Sequence, residues 1–284
     1  MYAGYAPGRV RLIDEHAMSR LPTLFISHGS PMNGIEVTPS SNAWAALGRE
    51  LPRPRAVLVA SAHWESSVPT LSGNAKPETI HDFGGFPEAL FQVRYPAPGA
   101  PELATQVVEL LKSAGIAAGV NGCRGLDHGA WVPLKWMYAD ADVPVVQISL
   151  QPERGTAHHV ELGRALAPLA DDGVLIVGSG HATHNLRDWM MNPRRREPLR
   201  YAQDFARWLH ERLAAGDTDA LIAYRERAPE AVRAHPTEEH FLPLLVAWGA
   251  AGEGAHAERM SAGIDGGALV NDSYRFVPAN ARAH

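Results

Sequence analysis

Apolar and small residues fill every position from Ala56 to Ser61, with none of the polar alternation of a half-exposed strand. A run of this kind predicts a strand buried on both faces in the middle of a parallel sheet. Leu21–Ser27, Val143–Leu150 and Val174–Gly178 read the same way, and a short strand is expected at Ile116–Val120. Between them the spacing changes to that of helices. These are Ser41–Glu50 with Ser40 or Ser41 as cap, Ala100–Ala114, Val132–Tyr138, Thr156–Leu169 and Arg200–Ala215. Thr237 is expected to cap a further short helix, and Ala257–Val277 to supply one or two edge strands. Strands alternating with helices predict an α/β fold: one domain with a mostly parallel central sheet and helices on both faces.

The predicted domain spans 20–278. It is preceded by a loose extension, 1–19, and followed by a short tail, 279–284. Met18 stands just before the first strand, so translation is expected to start at Met1 or at Met18. The stretch 65–99 carries prolines and glycines together with Phe83, Phe86, Phe91 and Tyr95, which predicts an aromatic loop serving as a lid or wall.

Three of the strand runs lead into histidine. Leu21–Ser27 is followed by His28, Ala56–Ser61 by His63 two residues on, and Val174–Gly178 by a segment holding His181 and His184. The carboxyl edge of an open α/β sheet is where ligands bind, so neighbouring strands would bring these imidazoles together. His240, in the segment from His235 to Leu244, is the other candidate. Neutral imidazoles delivered from remote segments suit a transition metal, zinc or iron(II). His16, His158, His159, His210, His256 and His284 are expected on surface helices or tails.

Charge and composition narrow the rest. A net charge of −5 on 284 residues gives no reason to expect nucleic acid or an anionic membrane. The lone Cys123 excludes an internal disulfide and fits a reducing, cytoplasmic compartment. The sequence has no apolar run of membrane-spanning length, no Gly-x-Ser-x-Gly elbow, no dinucleotide or phosphate-loop fingerprint and no His-Glu-x-x-His.

Six segments taken together carry a family likeness. They are Ser27-His28-Gly29-Ser30-Pro31-Met32, Ser61-Ala62-His63-Trp64, His81 to Pro87, Leu126 to Trp131, His184-Asn185-Leu186 and Pro236 to Leu244. In this order they resemble the class III extradiol ring-cleavage dioxygenases (LigB-like), and most closely the DOPA 4,5-dioxygenase branch. The resemblance implies one divalent metal, Fe(2+) or Zn(2+), held by His28, His63 and His240, with His184 either a fourth ligand or the base that takes the catechol proton. His128 is implied to steer oxygen or return the proton. Glu239 adjoins His240, but neighbours on a helix point about 100° apart, so His240 is taken as the ligand. The implied reaction opens a small aromatic diol with O2 beside the diol, in a 4,5-cleavage to a muconate semialdehyde. Two other functions remain: a zinc-dependent hydrolase, and a non-enzymatic metal-binding scaffold.

Overall fold

The computed structural model describes residues 20–260 and 263–279. The expected extension, the start at Met18, His16, His284 and all but the first residue of the expected tail lie outside the described residues.

Among the described residues there are ten strands: β1 Thr23–Ser27, β2 Ala56–Glu65, β3 Thr70–Ser72, β4 Gly119–Asn121, β5 Val145–Leu150, β6 Val174–Gly180, β7 His256–Met260, β8 Ile264–Asp265, β9 Leu269–Val270 and β10 Ser273–Val277. Eight form one sheet in the order β4-β3-β5-β2-β6-β1-β10-β7, and β8 and β9 form a small hairpin. The central strands β5, β2, β6 and β1 all run parallel, so their carboxyl ends share one edge. Residues 257–277 do more than supply edges, because β10 lies between β1 and β7.

Strand alternation explains the two cores. Leu24, Ile26, Val57 and Val59 pack on one face, against Trp44 and Leu47 of the helix Pro39–Glu50 and Trp131 and Leu134 of the helix His128–Met137. Phe25, Leu58 and Ala60 face the opposite way, toward Leu103 and Val107, Val160 and Leu166, and the helix Leu242–Ala251. Both faces are dry, which is why these strands read as continuous apolar runs.

The helices are α1 Pro39–Glu50, α2 Glu88–Phe91, α3 Pro101–Ser113, α4 His128–Met137 and α5 Gly155–Leu166, followed by later ones that include Arg200–Ala215 and Leu242–Ala251. Several boundaries differ from expectation. Helix α1 is capped by Thr38 rather than Ser40 or Ser41: Thr38 Oγ1 accepts the Ser41 N–H at 3.1 Å, and Ser41 Oγ accepts the Thr38 N–H at 2.8 Å. Pro39 then occupies the first turn, where its missing N–H costs nothing. The expected helix 156–169 is broken, with a separate short turn over Pro168–Asp171. Thr237 caps no helix, because residues 236–241 form turns and the helix begins at Leu242.

Candidate metal centre

His28 follows β1 directly, and β2 runs on past Ser61 to carry His63. Beyond Ser61 the pairing of β2 with β6 stops, and the register against β5 shifts between Ala60 and Glu65. His63 therefore stands in an irregular stretch of β2, past its pairing with β6 and before the strand meets β5 again at Glu65. His128 opens α4, and His184 lies in the segment after β6. His240 is brought in by the turn before the last long helix, where its carbonyl accepts the His181 N–H at 2.9 Å. Gly180 makes that approach possible, since a Cβ there would lie 2.2 Å from the His240 carbonyl oxygen.

His28, His63 and His240 have ring centroids 4.9, 5.1 and 5.4 Å apart. Imidazoles sharing one ion at Zn–N of about 2.1 Å and tetrahedral angles would have centroids roughly 5 Å apart. The outer nitrogens are occupied. Ser179 Oγ donates to the Gly129 carbonyl at 2.5 Å, so it accepts from His28 Nδ1–H at 3.0 Å. His240 Nδ1–H donates to Glu239 Oε1 at 2.9 Å, and His63 Nδ1 lies 3.4 Å from Asp82 Oδ2.

For His28 and His240 these hydrogen bonds set the tautomer and leave Nε2 as a bare lone pair, and the Asp82 carboxylate beside His63 Nδ1 favours the same tautomer there. The Nε2 atoms of His28 and His63 face each other at 3.1 Å, and His240 Nε2 is buried without a partner. Bare acceptors crowded together in a dry site call for a cation. The donor set fits a divalent transition metal.

Two tighter groupings of possible ligand atoms occur among the described residues: His28 with His63 and His128, and His184 with Glu239 and His240. In the second, the His184 and His240 rings are stacked at 3.4 Å and only 15° from parallel. In this arrangement the two ring planes do not converge at bonding distance from a common ion. In the first, His128 Nδ1–H donates to Asp82 Oδ2 at 3.0 Å, and its backbone N–H donates to Asp82 Oδ1 at 2.9 Å.

Burial, followed by the neighbouring imidazoles, lowers the pKa of His28 and His240 well below the usual histidine value. The same causes bring His63 to about 4, although Asp127 and Asp82 pull the other way, and His184 to about 2. Neutral rings are what a metal requires. Burial would raise Asp82, but its bond to His128 and the nearby imidazoles bring it down to about 2.

Several expectations about individual residues change. Glu239 and His240 do not point apart, because the segment is a turn and the carboxylate holds the imidazole. His159 is fully buried rather than on the surface, braced by the Gly155 carbonyl at 2.7 Å. His181, one of the histidines expected after β6, is buried, and its carbonyl accepts the Nε2–H of the equally buried His235 at 3.0 Å. Ser179 carries no motif of its own, and Asp82, although it lies in the His81–Pro87 segment, has no sequence feature that pairs it with His63 or His128. The one signal was an acidic residue inside an otherwise aromatic, glycine-rich loop.

The profile of the catalytic LigB subunit of aromatic ring-opening dioxygenase matches residues 17–271. The chain belongs to this family. It is 45% identical over 258 residues to the 4,5-DOPA dioxygenase extradiol of Beta vulgaris, covering 89% of this chain and 96% of that one. To the 4,5-DOPA dioxygenase extradiol of Escherichia coli K12 it is 41% identical over 246 residues, covering 84% and 89%. The crystal structure of an uncharacterized protein from E. coli K12 superposes with a TM-score of 0.75 at 35% identity, covering 90% of this chain and 99% of that one. The LigB-family chain is thus an extradiol-type oxidoreductase that uses a metal, an aromatic substrate and O2. Among the described residues no helix is long and apolar enough to cross a membrane.

Proposed function

We propose that this chain opens the ring of a DOPA-like catechol at the 4,5 position with O2, giving a muconate semialdehyde, at one divalent metal held by His28, His63 and His240. The observation that carries the reading is the convergence of three imidazoles, with the outer nitrogens of His28 and His240 hydrogen-bonded to Ser179 and Glu239 and that of His63 facing Asp82 at 3.4 Å. Fe(2+) is the metal proposed for ring opening. The all-imidazole donor set also accommodates Zn(2+).

A metal bound there supplies the positive charge that favours an ionised diol and, as iron(II), the electrons needed to activate dioxygen. This chain's residues supply the remainder. His184, neutral and stacked on His240, is the base for the catechol hydroxyl proton; the stack argues against its serving as a fourth ligand. His128, with Nδ1–H committed to Asp82, presents Nε2 to return a proton. Phe83 packs edge-on to His128 at 5.7 Å and against Phe86 and Phe91, forming an apolar wall that holds the ring and excludes water. We assign this chemistry to a domain spanning 20–278. The exposed lone Cys123 is compatible with a cytoplasmic setting.

The test is an oxygen-electrode screen of a small catechol panel with protein loaded anaerobically with iron(II). Oxygen consumed one-for-one with catechol, together with a yellow ring-opened product, is expected. No uptake with any catechol, combined with hydrolytic turnover by the zinc form, would overturn the reading.

A further inference from the structure

The outer partners of the histidines differ in origin. Ser179 belongs to β6 and serves His28 alone, and Glu239 adjoins His240 and serves it alone. Asp82 comes from the aromatic loop and serves two rings. Its Oδ2 lies 3.0 Å from His128 Nδ1 and 3.4 Å from His63 Nδ1, while Oδ1 takes the His128 backbone N–H at 2.9 Å. The His63 and His128 rings are the closer for it, at 4.0 Å between centroids. The next residue, Phe83, touches His128 from the loop side. The loop is itself braced, with His81 Nε2–H donating to the Val93 carbonyl at 3.1 Å.

We propose that Asp82 is a positioning residue through which the aromatic loop orients both His63, at the metal, and His128, at the substrate. A carboxylate accepts and never donates, so His128 Nδ1 carries the proton and its Nε2 points inward, and the same oxygen, 3.4 Å from His63 Nδ1, favours that orientation for His63 as well. One oxygen shared by two rings ties the metal end of the site to the proton-handling end, and it does so from the segment that walls the substrate. Seating the aromatic ring and aligning His128 thereby depend on the same loop. The inference rests on the proposed reaction for His128's role, but its geometry does not.

The experiment compares Asp82→Ala, Asp82→Glu and Phe83→Leu with wild type. Long-range proton–nitrogen NMR of histidine-labelled, zinc-loaded protein reads each tautomer, with the His128 signals assigned by their loss in His128→Gln. Asp82→Ala is expected to remove the fixed Nδ1–H pattern of His128, to leave the patterns of His28 and His240 intact, and to weaken zinc binding 10- to 100-fold. With saturating iron(II), its kcat should drop by a similar factor while KM stays within about threefold. Asp82→Glu should regain part of the kcat. Phe83→Leu should act chiefly on KM and leave the His128 tautomer alone.

If Asp82→Ala does not fold, Asp82→Asn carries the same readouts. An unchanged His128 pattern with kcat within twofold of wild type would overturn the proposal, as would tautomer changes spread to His28 and His240. If the wild-type enzyme opens no catechol, the proposed reaction fails, while the tautomer and zinc arms still decide the role of Asp82.

Discussion

The two groups of possible ligands at the sheet edge resemble each other in composition and differ in orientation. In the group of His28, His63 and His128 the rings are tilted by 45° to 82°, so their nitrogens converge on a common space. In the group of His184, Glu239 and His240 the two rings lie face to face at 15°, and the carboxylate is spent on His240. Proximity alone ranks the groups equally. Ring planes do not: imidazole binds a metal in its own plane, so a stack divides its members between two jobs. In the proposed reading His240 joins the first group across the centre, and His184 moves a proton.

That contrast can be attacked by substitution. His28→Ala, His63→Ala and His240→Ala should each reduce retained metal to near zero in purified protein measured by plasma mass spectrometry, because two imidazoles make a weak site. His184→Gln should retain near wild-type metal and lose 10²- to 10⁴-fold in kcat, the usual range for a general base. Equal metal content across all four variants would dissolve the distinction between the groups.

Gly129→Ala probes the first group sterically. A Cβ there would lie 2.5 Å from Ser61 Oγ and 3.1 Å from His63 Cδ2. Overpacking of this kind costs about 1–3 kcal/mol and should also displace His63. The expected result is a lower unfolding midpoint together with weaker metal binding, and an unchanged zinc titration would show that His63 has room to spare. Glu239→Gln probes the second group, and metal affinity should fall about tenfold, through loss of the carboxylate that orients His240.

The smallest effect concerns imidazoles outside both groups. Burial holds His235 at about 3 and His159 at about 4. In the unfolded chain both take protons near 6.5, so between about 4 and 6.5 the unfolded state binds more protons than the folded one. Stability should therefore decline as pH falls through that window and level off above it. Thermal unfolding of the metal-free protein from pH 8 to 5 checks this, and a midpoint that rises on acidification would contradict the assignment.

The central strands and the approach of their histidines were legible because burial on both faces leaves an uninterrupted apolar signature and the sheet edge follows from parallel connectivity. His28 and His63 could be placed from that alone. The Thr38 cap was misjudged because Ser40 and Ser41 are equally good cap chemistry, and only the position of Pro39 decides. The turn at His240 mimics a helix in sequence, since Thr237 and Glu239 imitate a helix start, whereas Pro243 sets the real one at Leu242. Asp82 and Ser179 were invisible for a different reason: their roles depend on which backbone lies across from them, 46 and 151 residues away from His128 and His28. Stacking of His184 on His240 is likewise a property of tertiary packing.

The most direct test is anomalous diffraction at the zinc edge from crystals of the zinc-loaded protein. The account predicts one peak in bonding contact with Nε2 of His28, His63 and His240, with the His184 ring still stacked and outside the coordination sphere. A peak bonded to His184 and Glu239, or to His128 in place of His240, would contradict it.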